Sequence, residues 1–242
     1  MCEFEPGPAM PLPGGIGISK LTVYDAEASD GLVGGTPHVH LACSEGYYVL
    51  AGDGAVQTLS TKGYSETPLQ VGAVVWFGPG TIHRLINRGG LQILALMSNS
   101  GLPEAGDAVM TLPPEYLVDR ETYVKATALA DGARTQSAMA RRDLAVQGYA
   151  VLRERYESEG PSALEDFYAA AIRLVQPQLA DWRKRWEQGA RRLADETGAA
   201  LDALEAGAAP HLESAELHQL PAPTESGLHG MCGRLDVYDT RA

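Results

Sequence analysis

The first 112 residues contain seven short β-prone segments separated by turn-forming residues, and this alternation constrains the fold more than any other feature of the chain. The segments are 18–24, 38–42, 47–51, 55–60, 73–77, 83–87 and 91–97. Gly52-Asp53-Gly54 and Arg88-Gly89-Gly90 lie between successive segments, and both predict tight hairpins because glycine accepts positive φ angles. Short strands at this spacing predict an antiparallel β-barrel or sandwich, not an alternating α/β sheet.

The composition changes to Ala, Leu, Arg and Glu after residue 112, which predicts an α-helical region. Between residues 134 and 157 the apolar side chains recur mostly at three- to five-residue spacings, a loose amphipathic helix pattern. Ser162 followed by Glu165 predicts a capping box for the next helix. Trp182 and Trp186 are four residues apart, so they share one helical face, which we expect to pack inward.

Proline and glycine return in the last segment, so we expect a barrel domain at 1–112, a helical region at 113–209 and a tail at 210–242. Residues 234–239 repeat the basic-Leu-x-Val-Tyr-Asp pattern of residues 20–25. We predict that this part of the tail forms a strand on the sheet edge near residues 20–25, because a lone strand leaves backbone groups unpaired. The strand pairs within its own chain or across a two-fold axis, and we expect a homodimer built partly on it.

Charge and cysteine content exclude several classes of protein. The 242 residues include 19 Lys and Arg against 31 Asp and Glu, a net charge of −12, which argues against nucleic-acid or anionic-membrane binding. No apolar stretch approaches 18 residues, and the acidic, proline-rich start does not resemble a signal peptide. Cys2, Cys43 and Cys232 form no CxxC motif, so neither a disulfide framework nor a zinc knuckle is expected. We expect a cytoplasmic protein with Cys43 buried and inert.

Three of the six histidines fall in two clusters with metal-ligand character. His38 and His40 are two apart, so on a strand both imidazoles point to the same face. Glu45 follows closely enough to offer a carboxylate to the same ion, and a Pro-Gly turn leads to His83. The sequence therefore predicts a metal site inside the barrel.

These clusters resemble the two motifs of the cupin superfamily. The first motif is matched by His38, His40, Glu45 and Gly52, and the second by Gly72, Gly80, His83 and Asn87. There are two departures: Gly31 stands one place before the expected leading glycine, and Pro79 comes one place late. The resemblance covers about residues 18–112.

The resemblance implies a small antiparallel β-barrel, or jelly roll, that holds one divalent ion through His38, His40, Glu45 and His83. Such a donor set suits Fe, Mn, Zn or Ni, and its open positions are typical of a catalytic site. Glu45 is also our candidate catalytic base. Substrate-binding candidates on or beside the strands, for which ordinary barrel packing is the alternative, are Tyr47, Trp76, Arg84 and Met97.

We expect a metal-dependent enzyme that acts on a small organic molecule, with two reaction types open. One is dioxygenase-like, and the other is Lewis-acid isomerase or lyase chemistry on a sugar-like or hydroxy-acid substrate. The alternative is a non-catalytic sensor or regulator that binds a small ligand. A DNA-reading segment should be basic, whereas residues 113–209 carry 13 basic and 16 acidic side chains.

Overall fold

A computed structural model of the chain describes residues 11–223 and 225–240. Cys2, the acidic start and the last two tail residues lie outside the described residues. The strands of the described part are β1 Gly17–Val23, β2 His38–His40, β3 Glu45–Ser60, β4 Gly63–Gln70, β5 Val74–Phe77, β6 Ile82–Met97, β7 Ala108–Met110, β8 Glu225–His229 and β9 Gly233–Val237. The α-helices are α1 Arg120–Thr127, α2 Arg134–Glu159, α3 Glu165–Val175, α4 Leu179–Trp186 and α5 Arg192–Glu205. The predicted fold class, an antiparallel β-barrel with an appended helical region, is confirmed.

The two long strands β3 and β6 form the centre of the sheet. They pair from Glu45 opposite Met97 to Leu59 opposite Ile82. Each long strand has two further neighbours, one along each half of its length. In chain order, β3 pairs first with β5 and then with β4, and β6 pairs first with β2 and then with β1. Because the neighbours change along their length, the sheet curves around one interior.

The predicted hairpins at 52–54 and 88–90 are wrong, because β3 and β6 each continue through these residues. The pairing is instead irregular between Val49 and Gly54, where the register shifts. Gly52 has φ +77°, and a Cβ on it would lie 2.3 Å from the backbone of Gly90. The glycines therefore allow a close-packed bulge in two bending strands, not a chain reversal.

The tail returns to the sheet as predicted, and it does so within its own chain. Strand β9 pairs antiparallel with β1, with Leu235 opposite Leu21. Strand β8 pairs with the other side of β9. The edge of β1 is thus occupied by the tail of the same chain. The expected subunit interface at this edge is therefore wrong, because the pairing lies within one chain.

Two hydrophobic clusters divide the core. The first fills the barrel interior and includes Val49, Leu85 and Ile93. In the second cluster, side chains on the outer face of β2, β3, β6 and β7 pack against the helical region. Val39 and Ile82 of the strands belong to this cluster together with Tyr149 of α2. The helices therefore cover one outer face of the barrel.

The helical region follows the sequence pattern with one correction. Helix α2 spans the predicted 134–157 and two further residues, and Trp182 is buried with its Nε1 donating to the Ala105 carbonyl at 3.1 Å. The capping box is wrong: Ser162 donates to the Glu159 carbonyl at 3.0 Å, within a 3₁₀ turn that leads directly into α3. Within the described ranges, no helix combines the length and apolarity needed to cross a membrane.

Candidate metal centre

Four side chains converge at one end of the barrel interior, and they are the four that the sequence predicts. His38 and His40 come from β2, Glu45 begins β3, and His83 lies on β6 directly opposite His38. One potential ligand atom from each lies within 4.8 Å of the other three. Each residue is at most 8% exposed. Val39, between the two histidines, points outward to the helices, as strand alternation requires.

The outward-facing ring nitrogen of each histidine has an acceptor. Nδ1 of His38 donates to the Thr36 carbonyl at 2.9 Å, and Nδ1 of His83 donates to the Thr81 carbonyl at 3.1 Å. Nδ1 of His40 lies 3.3 Å from Oδ2 of Asp107. Since carbonyl and carboxylate oxygens only accept, we infer that Nδ1 carries the proton in each ring. In the neutral form of each ring the Nε2 lone pair is then available to a metal ion, the arrangement usual for metal-binding histidines.

The carboxylate of Glu45 completes the cluster. Its Oε2 lies 3.4 Å from Nε2 of His40 and 3.0 Å from Nε2 of His83. Yet, among the residues that the structure describes, Oε2 of Glu45 and Nε2 of His83 are buried without a hydrogen-bond partner. Buried polar atoms rarely lack partners, and a divalent cation would satisfy both. The four residues therefore fit a metal ion, and three imidazoles with one carboxylate suit a first-row transition metal.

The electrostatics of the cluster favour an ionised carboxylate. Burial would raise the pKa of Glu45, but the neighbouring His83 and His40 outweigh it and hold that pKa well below its ordinary value. Burial, reinforced by the other two imidazoles, lowers the pKa of His38. Burial also acts to lower the pKa of His40, but the carboxylates of Asp107 and Glu45 outweigh it and raise that pKa to about 9.

Two of the predicted substrate-binding residues lie on the same sheet face as the cluster. Tyr47 is two residues beyond Glu45 on β3 and fully buried, and its hydroxyl has no hydrogen-bond partner in the described part of the chain. Burial, with a contribution from the charge of Glu45, raises the pKa of Tyr47, so the phenol stays protonated. Met97 lies directly opposite Glu45 in the β3–β6 pairing, so their side chains share a face.

The other two predicted substrate-binding residues, Trp76 and Arg84, lie away from the cluster. Trp76 is 77% exposed on the outer face of β5. Arg84 follows His83 and so points outward, where its guanidinium donates to Asp30 and to the Gly35 carbonyl. Both side chains lie on the opposite face because side chains alternate along a strand. The sequence could not predict which face they occupy, because it does not give the register of the strands.

Three residues near the cluster were not selected as site candidates from the sequence. The ring centroid of Phe77, the residue after Trp76, lies 4.3 Å from the ring centroid of His83. Asp107 bonds to His40, and the tail places Sγ of Cys232 3.9 Å from Nδ1 of His38. Burial raises the pKa of Cys232 to about 12, so its thiol is neutral. The repeat of the β1 pattern in the tail was the one signal that could have led to Cys232. Cys43 is buried as expected.

Comparisons with known proteins identify the barrel. A family model described as a cupin domain matches residues 29–98. Among solved structures, Pac13 from Streptomyces, described as a nucleoside dehydratase, shares 15% identity over 36% of this chain and 62% of its own, with a TM-score of 0.28. A cupin 2 conserved barrel domain protein from Salinispora arenicola shares 19% over 42% and 76%, with a TM-score of 0.31. The chain thus spans about three fifths of the length of Pac13. No curated protein matches the chain.

Proposed function

We propose that the chain is a metal-dependent cupin enzyme acting on a small organic molecule, because a cupin-domain family model matches residues 29–98. One observation carries the proposal. Three imidazole Nε2 atoms and one carboxylate meet in a buried cluster whose Nδ1 atoms are already satisfied. Such a donor set is arranged for an ion and leaves coordination positions free for a ligand.

Lewis-acid isomerase or lyase chemistry on a sugar-like or hydroxy-acid substrate fits the residues around the cluster best. A divalent ion bound by the four residues would supply polarisation of a substrate oxygen. Tyr47 provides a buried hydroxyl that can donate a hydrogen bond to that substrate. Glu45 is ionised, which suits it to hold the ion, and it remains the candidate base. Phe77 and Met97 line the same face with apolar surface, which limits the access of water.

Dioxygenase-like chemistry is the second candidate, because three histidines and one carboxylate are also a donor set that suits Fe(II). The test is reconstitution of the purified chain with Fe(II), Mn(II), Zn(II) or Ni(II). Each form is then screened against sugar-like and hydroxy-acid substrates with and without O2. We expect turnover without O2 in the Mn(II) or Zn(II) form. Turnover that requires both Fe(II) and O2 would support the oxidative candidate, and ligand binding without turnover would support a sensor.

We also propose a homodimer, built on an outer face of the barrel and not on the tail strand. Tyr48 and Leu50 of β3 and Val74 and Trp76 of β5 are all exposed, and Tyr48 lies directly opposite Val74. An exposed apolar patch on a folded protein commonly marks an interaction surface. A second copy packed on these four apolar side chains would cover them, with the ion pair of Lys20 and Asp236 beside them on the same face.

Sedimentation of three chains tests the dimer. Trp76→Glu should give a monomer, because the new carboxylate would be buried unpaired at the interface. Val151→Glu, on the exposed side of α2, should leave the wild-type mass unchanged. A monomeric wild type, or a dimeric Trp76→Glu variant, contradicts the proposal.

A further inference from the structure

Asp107 is the most completely bonded carboxylate around the candidate metal centre. It lies just before β7 and is 0% exposed. Its Oδ1 accepts from the backbone N–H groups of Leu41 at 3.1 Å and Ala42 at 2.8 Å. Its Oδ2 accepts from the N–H of Cys43 at 3.0 Å and faces Nδ1 of His40 at 3.3 Å. One side chain thus binds one imidazole and three consecutive backbone groups.

Those three backbone groups belong to the loop between two candidate ligands. His40 ends β2 and Glu45 begins β3, so the conformation of residues 41–43 sets where the carboxylate of Glu45 lies relative to the imidazole of His40. A buried carboxylate that accepts from both the loop and the ring fixes both at once. The ring orientation and the loop conformation are therefore coupled through a single residue.

His40 also differs from the other two histidines in the kind of partner it has. His38 and His83 are oriented by backbone carbonyls, which no side-chain substitution removes. His40 alone of the three is oriented by a carboxylate, whereas the side chain nearest Nδ1 of His38 is the neutral thiol of Cys232 at 3.9 Å. Asp107 lies outside the matched residues 29–98 and outside both histidine motifs, so neither the family model nor the motifs assign it a role.

We propose that Asp107 is the positioning residue of the metal centre: it holds His40 with Nε2 toward the ion and shapes the loop that delivers Glu45. The proposal rests on the proposed function only in requiring that the four residues bind an ion. An outer carboxylate of this kind typically contributes about 10- to 100-fold to metal affinity. Asp107 itself does not reach the ion, so its effect is exerted through His40 and Glu45.

Asp107→Asn tests the proposal, with Asp30→Asn as the matched control. An amide of the same shape has one acceptor oxygen, so in either orientation two of the four N–H groups lose their side-chain acceptor. Titration with Zn²⁺ or Mn²⁺ should show affinity about 10- to 100-fold weaker for Asp107→Asn. Asp30 also bonds a buried cationic side chain, that of Arg84, but away from the cluster. Its variant should lose thermal stability and keep wild-type metal affinity.

The outcomes separate this proposal from that of an enzyme. Wild-type affinity in Asp107→Asn, or an equal loss in Asp30→Asn, overturns the positioning role and leaves the enzyme proposal intact. If the wild type binds an ion but turns over no substrate, the enzyme proposal fails and the positioning role stands. If the wild type binds no ion, both proposals fail.

A measurement on the unchanged chain covers the case in which Asp107→Asn does not fold. ¹⁵N NMR of the Zn²⁺-loaded protein should show His40 coordinated through Nε2, with a slowly exchanging Nδ1 proton held by the carboxylate. Coordination of Zn²⁺ through Nδ1 of His40 leaves no proton for Asp107 to accept, and it rules the proposal out.

Discussion

At the scale of single residues, a substitution of Tyr47 can distinguish ion binding from substrate turnover. Its buried hydroxyl has no partner within the described chain, so Tyr47→Phe should fold with unchanged or slightly higher stability. If that hydroxyl donates to the substrate, the variant should keep its ion and lose roughly 10²- to 10⁴-fold in kcat. Metal analysis and steady-state kinetics measure both. Tyr48→Phe, on the exposed face, is the control. A fully active Tyr47→Phe enzyme would remove Tyr47 from the reaction.

Spacing predicted that His38 and His40 converge, because residues two apart on a strand share a face, and the resemblance to the two cupin motifs added Glu45 and His83. The same reasoning could not choose between Trp76 and Phe77. They are adjacent aromatics, and a shift of one residue in register exchanges the inner and the outer one. Asp107 was not predictable, since its contact with His40 joins residues 67 positions apart.

At the scale of the elements, the bulge between β3 and β6 can be tested with two glycines. Gly52 and Gly72 both have positive φ, but a Cβ at Gly52 would lie 2.3 Å from Gly90, whereas a Cβ at Gly72 meets nothing within 4 Å. Gly72→Ala should therefore cost only backbone strain, about 1 kcal/mol, and Gly52→Ala distinctly more, about 3 kcal/mol. Urea unfolding measures both free energies. Equal losses would mean that the close approach at Gly52 contributes nothing.

The pairing of Arg84 with Asp30 gives the fold a defined response to acid. Burial would raise the pKa of Asp30, but hydrogen bonding and charge from Arg84 outweigh it and lower that pKa from 3.8. A carboxyl with a lowered folded pKa stabilises the fold above its unfolded pKa, and this contribution is lost as pH falls through the folded value. Wild-type stability should therefore fall more steeply below about pH 4 than that of Asp30→Asn. Parallel acid-unfolding curves for the two chains would contradict this.

Local patterns predicted β1, β5 and α2 closely, because the spacing of apolar residues within each segment reflects its own secondary structure. They failed at residues 52–54 and 88–90, where the same glycines that make hairpins also make bulges. Strand β4 was missed because it is an edge strand that contains Pro68, which a central strand would not tolerate.

At the scale of the whole molecule, the two ends of the described chain meet in one sheet. The tail closes the edge of β1 and carries Cys232 to the barrel interior beside His38. Similarity between the segments at 20–25 and 234–239 predicted the pairing but not whether it lies within or between chains. The placement of the helices on one outer face could not be predicted from the sequence, because it depends on a cluster that joins distant segments, with Val39 of β2 and Tyr149 of α2 among its members.

The central claim is that His38, His40, Glu45 and His83 together hold one divalent ion. Elemental analysis of the purified chain, after incubation with Mn²⁺ or Zn²⁺ and removal of free ion, tests it most directly. We predict one ion per wild-type chain and one per chain for His218→Ala, a change in the exposed tail. His40→Ala should lose most of its ion, because removing one of four ligands weakens binding sharply. An unchanged metal content in folded His40→Ala, or none in the wild type, would contradict the account.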